Sequence, residues 1–256
     1  MSVATVAVLG VGEAGTALVA DLLGAGVTVR VHDPVVATPG GATGCRDDAD
    51  AVAGAALVIS VNSAADALDA ARVGGPACAP GTVWADLNTA SPQRKSEVAD
   101  VLPPEVRFAD VALMSIVPGH GIRTPMLVSG PGAEAYAAFV RPLGTQIDVL
   151  AGPPGVAAQR KLMRSVLYKG MAAAVIEAVA AGRAAGLEDW IRAEIARELD
   201  QLSAGSLDRF EKGSRAHAVR RAHEMDAAVQ MLDTLGVPGR VSAASRDWLN
   251  DLRSPP

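Results

Sequence analysis

Short apolar runs alternate with helix-like stretches along roughly the first 150 residues of the chain. The runs predict buried strands, and the stretches between them have the wider apolar spacing of helices. The predicted strands are residues 3–9, 27–31, 55–61, 82–85, 106–113, 126–128 and 146–150, and the predicted helices include residues 13–23, 49–53, 64–72 and 133–140. Strands that alternate with helices in this way indicate a parallel sheet covered by helices.

The pattern changes at the sequence Gly152-Pro153-Pro154-Gly155. Beyond it no strand-like run occurs, and Gly213 favours a break in the third of the helices that follow. The predicted helices are residues 155–185, 188–202, 207–235 and 240–252. We therefore expect an α/β domain over residues 1–152, with a doubly wound parallel sheet, and an all-helical domain over residues 153–256.

A glycine turn follows the first predicted strand. Its spacing is G-x-G-x-x-G, in which the three glycines allow a tight turn, close approach of a pyrophosphate and close packing of helix on strand. Free N–H groups at the start of the next helix would face the phosphates. The turn predicts a Rossmann-type dinucleotide site made by Gly10, Val11, Gly12, Glu13, Ala14 and Gly15.

Asp33 and Pro34 follow the second predicted strand. Asp33 lies 18 positions beyond Gly15, close to the offset of about 20 that is usual for an acid that binds the adenosine ribose. A carboxylate there favours NAD, because it accepts from the free 2′-hydroxyl and repels a 2′-phosphate. NADP is the alternative, with Arg30 and His32 as a phosphate clamp if Asp33 turns away.

Polar residues follow two further predicted strands. Val61 and Asn62 end one, and Asn88 and Thr89 follow the next. Ligands bind beyond the carboxyl ends of parallel strands, so Val61, Asn62 and Thr89 are expected to border the cofactor. Capping of the following helices is the alternative for Asn62 and Thr89, and it is the expected role of Ser91.

The first helix of the helical half has one polar arc, made by Lys161, Arg164, Ser165, Tyr168 and Lys169. A solvated surface is the ordinary reading of such an arc. However, the arc has no acid to pair with its cations, and it begins at the predicted domain boundary, where a cleft would lie. Desolvation and the neighbouring cations would lower the pKa of Lys161 and make it a useful proton donor for hydride transfer.

Composition excludes several classes of function. Half of the residues are hydrophobic and the formal net charge is -5, which argues against a broad nucleic-acid or anionic-membrane surface. Cys45 and Cys78 stand in unrelated contexts, so no metal site is expected. The first strand follows Met1 almost directly and no uninterrupted apolar run reaches membrane length, so we expect a cytoplasmic protein without a membrane segment.

These motifs together resemble the β-hydroxyacid dehydrogenases and the related 6-phosphogluconate dehydrogenases, over nearly the whole chain. GVGEAG resembles the family's cofactor turn, residues 86–92 its D-x-S-T-x-x-P loop with Asn88 for serine, and residues 155–161 the end of its G-x-G-x-x-x-K motif with Ala157 for the second glycine. The resemblance implies an NAD(P)-dependent oxidoreductase acting on a small carbonyl or hydroxy compound, with Lys161 as general acid/base.

The resemblance also assigns residues near the substrate. Ser165 stands where the family has asparagine, and we expect Ser165 and Lys169 to orient the substrate oxygen. The family's D-x-P-V-S-G-G motif corresponds to residues 110–116 here. The residue that would bind a substrate carboxylate is changed, which argues against a simple 3-hydroxy acid. The expected substrate contacts are Met114, Ser115, Tyr168 and His223.

Two other functions remain open. Imine reductases share this architecture but usually have Asp or Tyr at the position of Lys161, so the lysine favours C=O over C=N chemistry. A dinucleotide-binding sensor without turnover is the second alternative. The alanine-rich face from Ala172 to Ala181 suits close helix contact, so we expect a homodimer formed through the helical domain.

Overall fold

The computed structural model describes residues 5–253, and an eight-stranded sheet organises the first part of this range. The strands are β1 Thr5–Leu9, β2 Thr28–His32, β3 Thr43–Gly44, β4 Leu57–Ser60, β5 Val83–Asp86, β6 Arg107–Leu113, β7 Met126–Ser129 and β8 Ile147–Val149. The strand order is β3-β2-β1-β4-β5-β6-β7-β8. The chain reverses its direction of winding between β1 and β4, as a doubly wound sheet does. Residues 3 and 4 of the predicted first strand lie outside the described range.

Helices cover both faces of this sheet. They are α1 Glu13–Gly24, α2 Asp48–Val52, α3 Ala67–Gly74, α4 Pro92–Asp100 and α5 Ala133–Val140. Leu18 and Tyr136 are fully buried in one core, and Trp84 and Val98 are fully buried in a second. Central strands such as β4 are therefore buried along their whole length, which explains their continuous apolar sequence.

Two strands depart from the expected parallel arrangement, because β8 runs parallel to β7 and both therefore run opposite to β6. β7 pairs with β6 in the antiparallel direction, with Leu113 opposite Met126. The connection between them contains only a single 3-10 turn, Gly121–Arg123, and no crossover helix. Parallel neighbours need a crossover, usually helical, so this short connection returns the chain antiparallel.

The rest of the described chain is helical, as predicted. Its helices are α6 Val156–Ala184, α7 Glu188–Asp200, α8 Gly205–Ala216, α9 Ala218–Thr234 and α10 Arg240–Asp251. The expected break at Gly213 is wrong, because the chain leaves helical geometry at His217 and Gly213 lies inside α8. A glycine inside a helix costs only about 1 kcal/mol, which packing offsets.

The chain divides into two compact units, the first ending at Arg164 and the second beginning at Ser165. The boundary therefore falls inside α6, and the limits 1–152 and 153–256 remain a prediction. In the second unit, Glu177 accepts hydrogen bonds from Val241 N and Ser242 N at the start of α10, each at 2.8 Å. Burial raises the pKa of Glu177, but the hydrogen bonds from the Ser242 hydroxyl and from these two amides outweigh it and hold the pKa below its ordinary value.

Helix α6 is apolar as well as long. By length and composition it is the one helix within residues 5–253 that could cross a membrane, with a hydropathy of 1.3. The sequence prediction of no membrane segment did not include this helix, because scattered charged residues interrupt its apolar sequence. One such helix is weak grounds for a membrane span, because core helices of water-soluble proteins can share this composition. Its apolar side chains are exposed in the single chain, with Val166 at 78% and Ile176 at 70%.

Candidate active site

The glycine turn after β1 is packed as the sequence predicts. Gly10 has a φ of +91°, and a Cβ there would lie 2.7 Å from the Cα of Asn62. A Cβ on Gly15 would lie 2.1 Å from the carbonyl oxygen of Gly10. Nothing lies within 4 Å of a Cβ built on Gly12. Two of the glycines are therefore required by the fold, and the third leaves open space beside the turn.

The start of α1 offers N–H groups to a ligand. Gly12 is the N-cap residue and supplies no side-chain cap. Glu13 is exposed and Ala14 is partly buried, so neither side chain fills the turn. The uncapped helix start and the open space at Gly12 fit a pyrophosphate, which binds N–H groups at a helix N-terminus.

The carboxylate of Asp33 is held by backbone amides. It accepts from Val11 N at 2.8 Å, from Val35 N at 2.9 Å and from Val36 N at 2.8 Å. Burial raises the pKa of Asp33, but the three bonds outweigh it and the pKa lies below 3.8. Asp33 is therefore fixed in its ionised form beside the glycine turn.

A groove of about 400 Å³ joins these features. Six residues predicted to bind the cofactor line it, namely Gly10, Gly12, Asp33, Pro34, Val61 and Asn62. Asp48, Asp66 and Asp69 also line it. His32 lines it as well, but carboxylates predominate, which suits hydroxyl groups better than a phosphate.

Arg30 and His32, the alternative phosphate clamp, are already paired with other groups of the protein. Arg30 Nη2 donates to Asp50 Oδ1 at 2.8 Å, and its Nε donates to the carbonyl of Ala51. His32 Nδ1 lies 2.7 Å from Asp48 Oδ1. Because both side chains already have acidic partners, this arrangement does not support a 2′-phosphate site.

Asn88 ties together the ends of two neighbouring strands. Its side-chain amide donates to Asp86 Oδ1 at 2.7 Å and to Asn62 Oδ1 at 3.0 Å. Ser91 caps α4 as predicted, because its hydroxyl accepts from Arg94 N. The side chain of Asn88, in the loop after β5, therefore holds Asn62. The same hydrogen bonds fix the loop that contains Thr89.

Lys161 reaches this loop from α6. Its Nζ donates to Thr89 Oγ1 at 2.9 Å. Both residues line one small depression, together with Ala112, Ala158 and Leu162. The structure thus brings the predicted general acid/base and a residue predicted to border the cofactor into direct contact.

Sequence reasoning missed a buried charged group beside this depression. Lys95 is 1% exposed, and its Nζ lies 3.4 Å from both Asp86 Oδ2 and Asp110 Oδ1. One signal was available in the sequence. Asp86 and Asp110 each end or interrupt a buried apolar strand, and buried carboxylates require a counter-charge.

The remaining predicted substrate residues lie on several elements of the chain. Met114 is half-buried and Ser115 is exposed, both in the loop after β6. Ser165, Tyr168, Lys169 and His223 belong to the second unit. Their proposed roles remain predictions.

Two family models match the chain. Residues 5–111 match the NAD binding domain of 6-phosphogluconate dehydrogenase. Residues 183–252 match a domain of unknown function, DUF1932. The first match contains the glycine turn, Asp33 and Thr89, and the second contains His223.

Individual relatives agree with these matches. The NAD-dependent L-serine dehydrogenase of Pseudomonas aeruginosa is 29% identical over 206 residues, which are 75% of this chain and 68% of the relative. A conserved protein of unknown function, described as structurally similar to 3-hydroxyacid dehydrogenases, is 26% identical with a TM-score of 0.60. That match covers 97% of this chain and 98% of the other.

A third similarity concerns the fold. An imine reductase from Aspergillus terreus has a TM-score of 0.78 over 98% of this chain and 94% of its own, at 19% identity. The glycine turn, the acidic strand end and the two family matches agree with one another. Residues 5–111 are therefore an NAD binding domain of the 6-phosphogluconate dehydrogenase type, and residues 183–252 are a domain of the DUF1932 family.

Proposed function

We propose that this protein transfers a hydride between NAD(H) and a small carbonyl or hydroxy compound, with Lys161 as the general acid/base. The observation that carries the proposal is the hydrogen bond from Lys161 Nζ to Thr89 Oγ1, 2.9 Å long, at the carboxyl edge of the sheet. In doubly wound folds this edge is where the ligand binds.

The residues of the chain supply binding and proton transfer. Bound NADH supplies the hydride. As the carbonyl carbon receives it, negative charge develops on the oxygen, and the ammonium of Lys161 donates a proton there. In the reverse direction the neutral amine takes the proton of the hydroxyl group. Thr89 holds the amine in place, while Ser165 and Lys169 orient the substrate oxygen in this proposal.

NAD is the proposed cofactor, in preference to NADP. Asp33 is ionised beside the glycine turn, and Asp48 lines the same groove. Arg30 and His32 are already paired with acids. A 2′-phosphate would lie beside the carboxylates of Asp33 and Asp48, and the two nearby basic side chains are already paired. A 2′-hydroxyl can donate a hydrogen bond to Asp33.

The direct test is oxidation of NADH across aldehydes, ketones, keto acids and cyclic imines, with NADPH in parallel. Serine joins the panel in the NAD⁺ direction because of the serine dehydrogenase relative. We expect turnover with a carbonyl or hydroxy compound and a preference for NADH. Turnover with imines alone would assign imine reduction, and tight NADH binding without any turnover would assign a sensor.

We also propose that the helical part forms a homodimer. The side chains of Val166, Leu167 and Ile176 are exposed along α6, and six of the ten residues at positions 172–181 are alanine. Apolar groups left in water favour association, and small residues let helices approach closely. A second copy of α6 satisfies both conditions with the same residues.

The proposed setting is the cytoplasm, without a nucleic-acid or membrane partner. The formal net charge of -5 supports this, since polyanions repel an acidic protein. In the proposed dimer, the apolar surface of α6 is covered by protein. Fractionation of the native host separates this from membrane association, which would move the protein to the membrane pellet.

A further inference from the structure

The ammonium of Lys95 connects two strand ends inside the protein. Lys95 is 1% exposed, while Asp86 at the end of β5 and Asp110 in β6 are both 0% exposed. Lys95 Nζ donates to the carbonyl oxygen of Asp86 at 2.7 Å. It also faces one carboxylate oxygen of each aspartate, and neither of these oxygens has another hydrogen-bond partner.

The other carboxylate oxygen of Asp110 holds the start of α6. Asp110 Oδ2 accepts from Gly155 N and Ala158 N, both at 3.0 Å. Ser129 Oγ donates to the same oxygen at 3.2 Å. Lys161 lies three residues beyond Ala158, so this carboxylate fixes the turn from which the lysine extends.

The other carboxylate oxygen of Asp86 holds the loop that carries Thr89. Asp86 Oδ1 accepts from Asn88 N at 2.9 Å and from the Asn88 side chain at 2.7 Å. Thr89 is the next residue. The two partners of the hydrogen bond between Lys161 and Thr89 are therefore each supported by one aspartate, and both aspartates face Lys95.

We propose that Lys95 is a positioning residue that fixes the catalytic amine of Lys161 against Thr89 by holding Asp86 and Asp110 together. This rests on the proposed function for the role of Lys161. Two carboxylates without the ammonium repel each other in a buried site, and the strand ends they support shift. Lys95 thus acts through the aspartates without touching the substrate.

The test uses Lys95→Met, which keeps an unbranched side chain one atom shorter and removes the charge. The chain has four lysines, Lys95, Lys161, Lys169 and Lys212, so trace acetylation followed by mass spectrometry resolves each amine. Lys212 is exposed and pairs with Asp208, and it serves as the internal reference. We expect the reactivity of Lys161 relative to Lys212 to rise about fivefold, as loss of one hydrogen bond implies.

Activity gives the second readout. In Lys95→Met, kcat is expected to fall roughly 10- to 100-fold, while the Kd for NADH stays within about twofold, because misplacement of a reacting group affects chemistry more than binding. Lys212→Met is the matched control for the kinetics and should leave kcat and the Kd for NADH unchanged. A wild-type reactivity of Lys161 in folded Lys95→Met would overturn the proposal.

An unstable Lys95→Met protein and an inactive wild type would each still leave the role of Lys95 testable. If Lys95→Met is too unstable to purify, Lys95→Met/Asp86→Asn removes one buried charge of each sign and carries the same test. Its stability should recover, while Lys161 reactivity stays raised because the link between the strand ends is absent. Failure of the wild type to turn over any substrate removes the proposed function but leaves the acetylation result valid.

Discussion

Lys161 Nζ donates a hydrogen bond to Thr89 Oγ1 at 2.9 Å, although 72 positions separate the two residues along the chain. The contact joins the first turns of α6 to the loop after β5. It places a cationic proton donor beside a residue that the dinucleotide-binding fold presents at its ligand edge.

Replacement of Lys161 should separate chemistry from cofactor binding. In Lys161→Met we expect kcat to fall about 10²- to 10⁴-fold, the usual contribution of a general acid or base. The Kd for NADH, measured by fluorescence titration, should stay within about twofold, because the groove that binds the dinucleotide is made by other residues. Equal loss of turnover and affinity would show that Lys161 is structural.

Thr89 should act through its hydroxyl group. Thr89→Val keeps the shape of the side chain and removes the acceptor, so we expect kcat to fall about 5- to 20-fold, corresponding to about 1–2 kcal/mol for one hydrogen bond. Thr89→Ser keeps the hydroxyl and should remain within about threefold of the wild type. Steady-state kinetics of both variants decides the matter, and equal effects would contradict a hydrogen-bonding role.

The sequence predicted best where local backbone geometry decides the structure. Gly10 and Gly15 could be identified because a turn of this kind tolerates no side chain, and Asp33 because the end of β2 must lie beside that turn. The antiparallel β7 was missed because its direction depends on how the chain returns after β6. Lys95 was missed because its partners Asp86 and Asp110 lie on neighbouring strands, and only the tertiary structure brings them together.

The three glycines of the turn should respond differently to alanine. Gly15→Ala places a Cβ 2.1 Å from the Gly10 carbonyl, so we expect the protein to be strongly destabilised. Gly12→Ala meets nothing within 4 Å and should leave the melting temperature unchanged. Its methyl group would enter the space of the pyrophosphate, so the Kd for NADH should rise about tenfold or more.

Thermal melting and NADH titration of both variants test this pair. Unchanged affinity in Gly12→Ala would place the pyrophosphate elsewhere. A Gly15→Ala protein as stable as the wild type would contradict the close packing of helix on turn.

The pH dependence of stability should report the ionised state of Asp33. Its folded-state pKa lies below 3.8, because the bonds from Val36, Val11 and Val35 outweigh the effect of burial. A depressed pKa contributes stability that is fully present above the unfolded-state value and is lost as the pH falls through the folded-state pKa. The contribution should therefore be constant at neutral pH and be lost only in the acid range, as the pH falls through the lowered pKa of Asp33.

Urea unfolding of the wild type and Asp33→Asn from pH 3 to pH 8 measures this difference. The difference in the free energy of unfolding between the two proteins should be constant above about pH 5 and should decrease in the acid range. A difference in unfolding free energy that changes between about pH 5 and pH 7 would mean that the pKa of Asp33 is raised in the folded protein.

The exposed face of α6 should be buried in the proposed dimer. Ile176 is 70% exposed in the single chain, so Ile176→Asp should not destabilise a monomer. In a dimer it would bury an unpaired carboxylate, which costs several kcal/mol and weakens association by about 100-fold or more. Leu207→Asp on α8, where Leu207 is 68% exposed, is the matched control. Light scattering after size exclusion should find a dimer for the wild type and Leu207→Asp and a monomer for Ile176→Asp, whereas a monomeric wild type at micromolar concentration would rule the dimer out.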